Sequence, residues 1–432
     1  METETTSTSS TGPKPSSSER GFLAETFRAF RYRNFALLWG GACASSIGTW
    51  MQKVAQSWLV YQLSNDAFLL GLDAFLGEIP IFLFTLLGGV VADRNDRTKV
   101  LIGSQMVQMT SAATLALLYW TGVLQIWHIL CLSAVNGMAQ AFGGPAYQAI
   151  IPALVRKEDL SNAIALNSIQ FNLARVIGPL IGGYALVHLG AVWCFGLNAT
   201  SFLIVIAALL LVRIPGVTSS TAVSIGESLR QGFGFIRSRA GLLPLIVLSF
   251  TATVFGMSFI VFLPAFAKEV LGGGEKEFTS LMAISGAGSI LGALLVAAVA
   301  KKGREIRMML SGLVILGIGL ALFAYSPNYL WAAGCIFLGS AALMAVFTLV
   351  ASLVQLRTSN EMRGRVMGIY NIAFRGGMPI GSLLMGEAIG HAGVSPVLCA
   401  GGVALIGLGV AYILMRRMFR LDDQEPETEA AA

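Results

Sequence analysis

The chain has 432 residues, is 55% hydrophobic and only 12% charged, and carries 49 glycines and a formal net charge of +6. Soluble domains carry about 25% charged residues, so this composition excludes an ordinary soluble domain and points to a polytopic membrane protein. The basic excess sits in short stretches between apolar runs, which excludes a nucleic-acid interface. The five cysteines form no CxxC pair and the three histidines are scattered, so no metal site, disulfide frame or cofactor is expected.

Residues 1–20 are polar and rich in Ser and Thr, a tail without the apolar core of a cleavable signal peptide. Residues 21–33 are expected to form an interfacial helix. Phe22, Leu23, Thr26, Phe27 and Phe30 fall on one helical face, with Arg28, Arg31 and Arg33 nearby, a pattern that suits an anionic bilayer surface. An unstructured basic lead-in is the alternative.

A bilayer-spanning helix needs roughly 20 mostly apolar residues. Twelve such stretches follow, near 35–62, 68–92, 100–120, 126–147, 162–187, 192–213, 242–266, 278–300, 308–325, 329–355, 366–390 and 396–416. They divide into a six-helix bundle over 34–213, a polar linker over 214–241 and a second six-helix bundle over 242–417, followed by an acidic tail, 418–432. The fold class read from this is an all-α polytopic membrane protein.

Span 1 carries Ser45, Ser46, Thr49, Gln52, Lys53 and Gln56 within a ~140° arc at helical spacing. In span 4, Ser133, Asn136, Gln140 and Tyr147 share one face. Such stripes face a polar cavity or glue helices together. In span 7, Phe255, Phe259, Phe262 and Phe266 recur at helical spacing. They read as an aromatic wall if this span lines a cavity, and otherwise as a packing or lipid-facing stripe.

Six ionisable residues lie within spans: Lys53, Asp73, Glu78, Arg175, Arg375 and Glu387. Equal numbers of each sign suggest internal pairing. At ~1.5 Å per residue, Lys53, Glu78 and Arg175 lie nearest the midplane, with Asp73 and Glu387 nearer the outer surface. Glu78, desolvated in mid-span, is the first candidate for proton coupling, Asp73 the second. A static ion pair with Lys53 is the alternative for Glu78.

Positive residues gather in cytoplasmic loops. Arg94, Arg97 and Lys99 follow span 2, and Arg156 and Lys157 follow span 4. Arg213, Arg230, Arg237 and Arg239 separate spans 6 and 7. Lys301, Lys302, Arg304 and Arg307 follow span 8, and Arg357, Arg363 and Arg365 follow span 10. The opposite loops hold only Lys268 and Lys276. Both termini are therefore expected in the cytoplasm. Arg175 and Pro179 recur as Arg375 and Pro379, so the halves read as two parallel pseudo-repeats, a transporter architecture.

The junction after span 2 reads Gly89-Val-Val-Ala-Asp93-Arg94-Asn-Asp96-Arg97-Thr98-Lys99. It resembles the loop signature of the major facilitator superfamily, with Asp96 in place of a glycine and Thr98 in place of a basic residue. RNFALLWGG, VAQSWLVYQLS, GGPAYQAIIPALV, ARVIGPLIGG, LNATSFL and ESLRQGFGFIRSRAGLLPL are similar to the enterobactin-exporter-like branch, the transmembrane secretion effectors, over roughly residues 30–415. The resemblance implies a twelve-span major facilitator fold in the cytoplasmic membrane of a bacterium. It also implies a monomer exporting a small molecule by alternating access, with proton antiport. It implies a gating loop at Gly89, Asp93, Arg94, Arg97 and Lys99. The span-5 residues Arg175, Gly178, Pro179, Gly182 and Gly183 resemble the antiporter motif at the interface between halves, although Ala165 and Ala174 replace two of its glycines. Cavity lining by Thr49, Gln52, Gln56, Asn136, Gln140, Tyr147, Phe255, Phe259, Phe262 and Arg375 is expected. The span-4 arginine of proton-linked drug antiporters is absent. Uptake or facilitated diffusion, and a non-transporting sensor or scaffold, remain the alternatives. No nucleophile–base pair or nucleotide-binding loop suggests an enzyme or an ATP-driven pump.

Overall fold

The computed structural model describes residues 27–212, 225–299, 304–359 and 361–415. The tails, residues 21–26 of the 21–33 segment, the start of the linker and the 8–9 junction at Lys301 and Lys302 lie outside the described residues. Every regular element among the described residues is helical.

The first six rods are α1 (Arg33–Ser64), α2 (Ala67–Arg94), α3 (Arg97–Trp120), α4 (Ile126–Leu154), α5 (Leu160–His188) and α6 (Ala191–Leu211). A linker helix, α7 (Ile225–Ser238), leads to the second set. Its first rod is broken: α8 (Leu242–Gly256), a 3-10 segment Ser258–Phe262, then α9 (Leu263–Glu269). The rest are α10 (Glu275–Val299), α11 (Glu305–Ala324), α12 (Tyr329–Leu356), α13 (Arg363–Ala392) and α14 (Val394–Met415).

Nine of the described segments are long and apolar enough to cross a bilayer. The long helices outside that set are α1, α4 and α13. They carry the stripe of Gln52, Lys53 and Gln56, the stripe of Asn136 and Gln140, and Arg375. Polar groups pointed at protein or water lower a span's overall apolarity without forcing it out of the bundle.

Small residues let the rods approach closely, as packing without a hydrophobic drive between helices requires. In the first half α1 packs on α5 and α6, α3 on α4 and α6, and α2 on α4. In the second half α11 packs on α12 and α14, α10 on α12, and α13 on α8. The two halves meet along two seams, α2 against α13 and α5 against α10. The α5–α6 and α13–α14 turns are made by Gly190 and Gly393, with φ of 89° and 84°, a backbone region only glycine enters freely. Each turn follows a helix with an internal proline, Pro179 or Pro379.

The seams close at one end only. Gly71 of α2 abuts the Ser382 backbone of α13, and Gly386 abuts Ala67. Gly183 of α5 faces Thr279 of α10. Among the described residues three side-chain hydrogen bonds cross between the halves, all at this end: Trp58 Nε1 to Glu275 Oε1 at 3.0 Å, Tyr61 hydroxyl to Glu269, and Lys268 Nζ to Asn65 Oδ1 at 2.9 Å. Trp58 also stacks on Phe278, centroids 5.7 Å apart. Toward the opposite end, where the basic junctions lie, no side-chain hydrogen bond joins the halves among the described residues, and the polar residues Ser168 and Asn172 of α5 and Asn371 of α13 are exposed. The cleft is open toward the basic junctions.

Candidate functional site

At the centre of the first half, α1, α2, α4 and α6 share a polar network. Gln56 Nε2 lies 2.9 Å from both oxygens of Asp73 and 2.8 Å from Ser133 Oγ. Ser133 donates to Asp73 Oδ1 at 2.5 Å. Gln52 donates to Gln56 Oε1 at 3.3 Å and accepts from Asn198 Nδ2 at 2.6 Å. The sequence placed Asp73 nearer the outer water, yet it is 8% exposed. It lies near the outer end of α2 but points into protein, because α1 and α4 cover it. Every hydrogen bond to its carboxyl group comes from an uncharged side chain.

Glu78, one and a half turns further along α2, takes the other partner. Lys53 Nζ lies 3.0 Å from Glu78 Oε1. Lys53 also stands over the Trp50 ring, 5.3 Å from its centroid. Arg375, on α13 of the other half, acts electrostatically on Glu78. Three mid-span charges thus gather beside the α2–α13 seam.

Several expected lining residues do something else. Gln52 is 5% exposed and ties α1 to α6 rather than facing the cleft. Thr49 turns its hydroxyl onto Ser45 O of its own helix, 2.9 Å away. The Phe255–Phe266 stripe is not a wall. The 3-10 segment resets the helical phase, and Phe259, Phe262 and Phe266 are buried, the first and last against Phe323 of α11. Phe255 is half-buried. In α4, Gln140 is exposed, and Tyr147 donates to Asn167 Oδ1 at 2.7 Å. Asn136 Oδ1 is buried with no donor among the described residues.

The span-5 motif divides between two partners. Gly178 and Gly182 press on α1, meeting Trp50, Ile47 and Met51 of the same half, so they seal that bundle rather than the interface. Gly183 is the inter-half contact. Pro179 is buried. Arg175 is half-buried, with no hydrogen-bond or ion-pair partner among the described residues.

In the α2–α3 junction Asp93 and Arg97 pair at 3.2 Å, and Arg97 also donates to Ala149 O of α4 at 3.1 Å. Asp96, the departure from the family pattern, caps α3 by accepting from Thr98 N and Lys99 N, a role for which Asp is favoured. Arg94 and Lys99 are exposed. The close approach expected of Gly89 belongs to its neighbour: Gly88 abuts Ala141 of α4, while Gly89 faces open space.

Two groupings escaped sequence reasoning. The outer closure by Trp58, Tyr61, Glu269 and Glu275 was signalled only by aromatic residues ending span 1 and acids in an outer loop. The other is a strap. Arg28 and Arg31, in a 3-10 turn, each pair with Asp159 at 2.5 Å, and Tyr32 donates to it at 2.6 Å. Ala29 N bonds Asn162 Oδ1 at 2.9 Å. The segment expected to lie on the membrane is thus docked, from Arg28 onward, onto the α4–α5 junction, with Phe27 exposed. The Tyr32 hydroxyl and the two guanidiniums hold the Asp159 carboxyl below the usual carboxylate range. Among the described residues no cluster of His, Cys, Asp and Glu could hold a metal ion.

The comparisons with known proteins agree with this architecture. The chain is 28% identical over 381 residues to the enterobactin exporter EntS of Shigella boydii, covering 86% of this chain and 89% of that protein. It is 20% identical over 404 residues to macrolide efflux protein A of Streptococcus pyogenes, covering 91% and 99%. Among solved structures it resembles a bacterial homologue of the human lysosomal transporter Spinster in an inward-facing, occupied conformation. The TM-score is 0.72 at 16% identity, covering 91% of this chain and 99% of that one. These relatives are transporters, not enzymes, and the matching family model spans residues 24–431. The chain is a multi-pass membrane protein of the transmembrane secretion effector family, within the major facilitator superfamily.

Proposed function

We propose that the protein exports a small molecule across the bacterial cytoplasmic membrane, through twelve spans with cytoplasmic termini, by alternating access driven by inward proton movement. The observation that carries the reading is the cleft, closed by Trp58, Tyr61, Glu269 and Glu275 at one end and open toward the basic junctions at the other. With basic loops in the cytoplasm, this is the loading state of an exporter. Rocking of one half on the other would break the outer hydrogen bonds and bring Gly89 and Asp93 against the second half.

For coupling, the pairing of Glu78 with Lys53 favours a fixed ion pair there. Asp73 suits proton exchange better, because its partners Gln56 and Ser133 are neutral and can meet either protonation state without breaking a salt bridge.

The test is accumulation of candidate compounds, drug-like and siderophore-like, in cells with and without the protein and with and without a proton uncoupler. The reading expects lower accumulation with the protein, reversed by the uncoupler. Higher accumulation with the protein would indicate uptake. Equal accumulation under all conditions would refute transport of these classes.

A further inference from the structure

We infer that the exported compound is an anion, held between Arg175 and Arg375. The inference rests on the export reading above and deepens it by naming the substrate class.

The two arginines occupy equivalent places in the repeat, each four residues before a buried helix proline, Pro179 or Pro379. On α5, Ser168, Asn172 and Arg175 lie within a ~60° arc. The far side carries the exposed apolar residues Ile169, Leu173, Leu180 and Tyr184, the lipid face. The arc flanks the seam that Val176 and Gly183 make with α10, so Arg175 stands beside the seam on the cleft side. On α13, Asn371 and Arg375 are both exposed and flank the seam that Gly376 makes with Phe82 of α2. One guanidinium thus borders each seam, one from each half.

Neither has a hydrogen-bond or ion-pair partner among the described residues. The carboxylates that could neutralise them are engaged elsewhere. Glu78 is in salt-bridge contact with Lys53 and reaches Arg375 only electrostatically. Asp73 is enclosed by Gln56 and Ser133. Glu387 sits three turns along α13 with His391. Around the cleft, Lys53, Arg175 and Arg375 outnumber Asp73 and Glu78 by one positive charge. Unpaired cations at membrane depth are costly and mark substrate pathways. Guanidinium forks match planar anionic groups such as carboxylates, phosphates and phenolates. An interior-negative membrane potential also pushes an anion outward.

The test uses intact cells expressing wild type, Arg175→Gln, Arg375→Gln and the two Arg→Lys variants, matched for membrane content and for monodisperse elution after purification. The probe is the cell's own metabolite pool. Compounds whose appearance in spent medium depends on the protein are sorted by retention on an anion-exchange resin at neutral pH. Protein-dependent compounds should be retained on the resin, and their export should fall tenfold or more in each Gln variant, with partial recovery in the Lys variants. An anionic phospholipid offers the same headgroup chemistry; its protein-dependent appearance in the outer leaflet, lost in the same variants, supports the inference and identifies a lipid source. Export of compounds that all pass the resin overturns the inference while export stands, as does full export by folded Gln variants. Identical medium and leaflet composition with and without the protein refutes export itself and the inference with it. Sorting of the wild-type exports needs no variant, so a variant that fails to fold leaves the test intact.

Discussion

Gly183→Ala should unlock the outer end of the molecule. A Cβ built at Gly183 lies 2.6 Å from Thr279 Cβ, 3.1 Å from its Oγ1 and 3.2 Å from its Cγ2. Carbon atoms prefer about 3.5–4.0 Å, so α5 and α10 must part by about 1 Å. Rotating Thr279 cannot relieve this, because its Cβ is fixed by the backbone. Overpacking of this kind costs about 1–3 kcal/mol, and each 1.4 kcal/mol is about tenfold in an equilibrium. The strain exists only while the outer seam is closed, so the outward-open population should rise by roughly 5- to 150-fold. A cysteine at Asn65, where Lys268 bridges the halves, reports this through labelling by a membrane-impermeant maleimide. Labelling should rise in Gly183→Ala and return to the starting level when Thr279→Gly moves the missing Cβ to the other side. Unchanged labelling in the folded variant, or no rescue by Thr279→Gly, would refute the packing argument. Gly178→Ala is the contrast. Its Cβ would meet Trp50 and come 2.9 Å from Ile47 O within one half, so it should lower thermal stability without changing outer labelling.

Asp73→Asn should abolish gradient-driven efflux while passive substrate exchange continues, whereas Glu78→Gln should lower folded yield by stranding Lys53; intact gradient-driven efflux in Asp73→Asn removes that residue from coupling. The Glu78→Gln loss should stay below the roughly 3–5 kcal/mol of a fully buried pair, since the Lys53 side chain is 52% exposed, and Lys53→Met should restore yield. Asp93→Asn should leave stability nearly unchanged, because an exposed i,i+4 pair is worth about 0.3–0.5 kcal/mol, yet cut transport if Asp93 latches the outward-open state; normal transport at normal expression rejects the latch. For the strap, the folded Asp159 carboxyl titrates below the usual value of about 3.9. Its stabilisation is therefore complete above that pH and is lost only as pH falls through the lower folded value. Trypsin added to inside-out vesicles should spare Arg28 and Arg31 equally at pH 8 and pH 6 and cut them in Asp159→Asn; equal cutting of both proteins shows the strap is not held by this carboxylate.

What the sequence disclosed followed from locality. The charged α2–α3 junction is legible where Asp93, Asp96 and Arg97 act on residues within a turn or two of themselves, but the bond from Arg97 to Ala149 O of α4 is not. The rods were legible because apolar length repeats. The polar network was only half legible. Gln56 announces itself in a stripe, but its partners Asp73 and Ser133 are set by how α1, α2 and α4 rotate against one another. Gly182 and Gly183 are adjacent in sequence and face different helices in different halves, a distinction no spacing reveals. The phenylalanine stripe misled because helical periodicity assumes one unbroken helix. Gly256 and Pro264, which bracket the 3-10 segment, were the available warning.

The chemistry is unevenly divided between the halves, and this bears on how the transporter works. The first half holds the network from Asn198 through Gln52 and Gln56 to Asp73, together with the Lys53–Glu78 pair. The described core of the second half is held by aromatic contacts such as Phe266 on Phe323 and Phe347 on Phe374, with hydroxyl pairs such as Ser285 and Ser340. Arg375 is its charged group at the cleft. Groups that exchange protons need a stable set of hydrogen-bond partners, and a network spanning four helices of one bundle keeps that set intact while the bundle moves as a unit. Under the proposed alternating access, what changes is the distance from that network to Arg375 and to the outer aromatic closure. Alternation can therefore alter the electrostatic surroundings of Glu78 and the water access of Asp73 without rebuilding either site. The broken rod α8–α9 lies against α13 at Ser258 and Gly381.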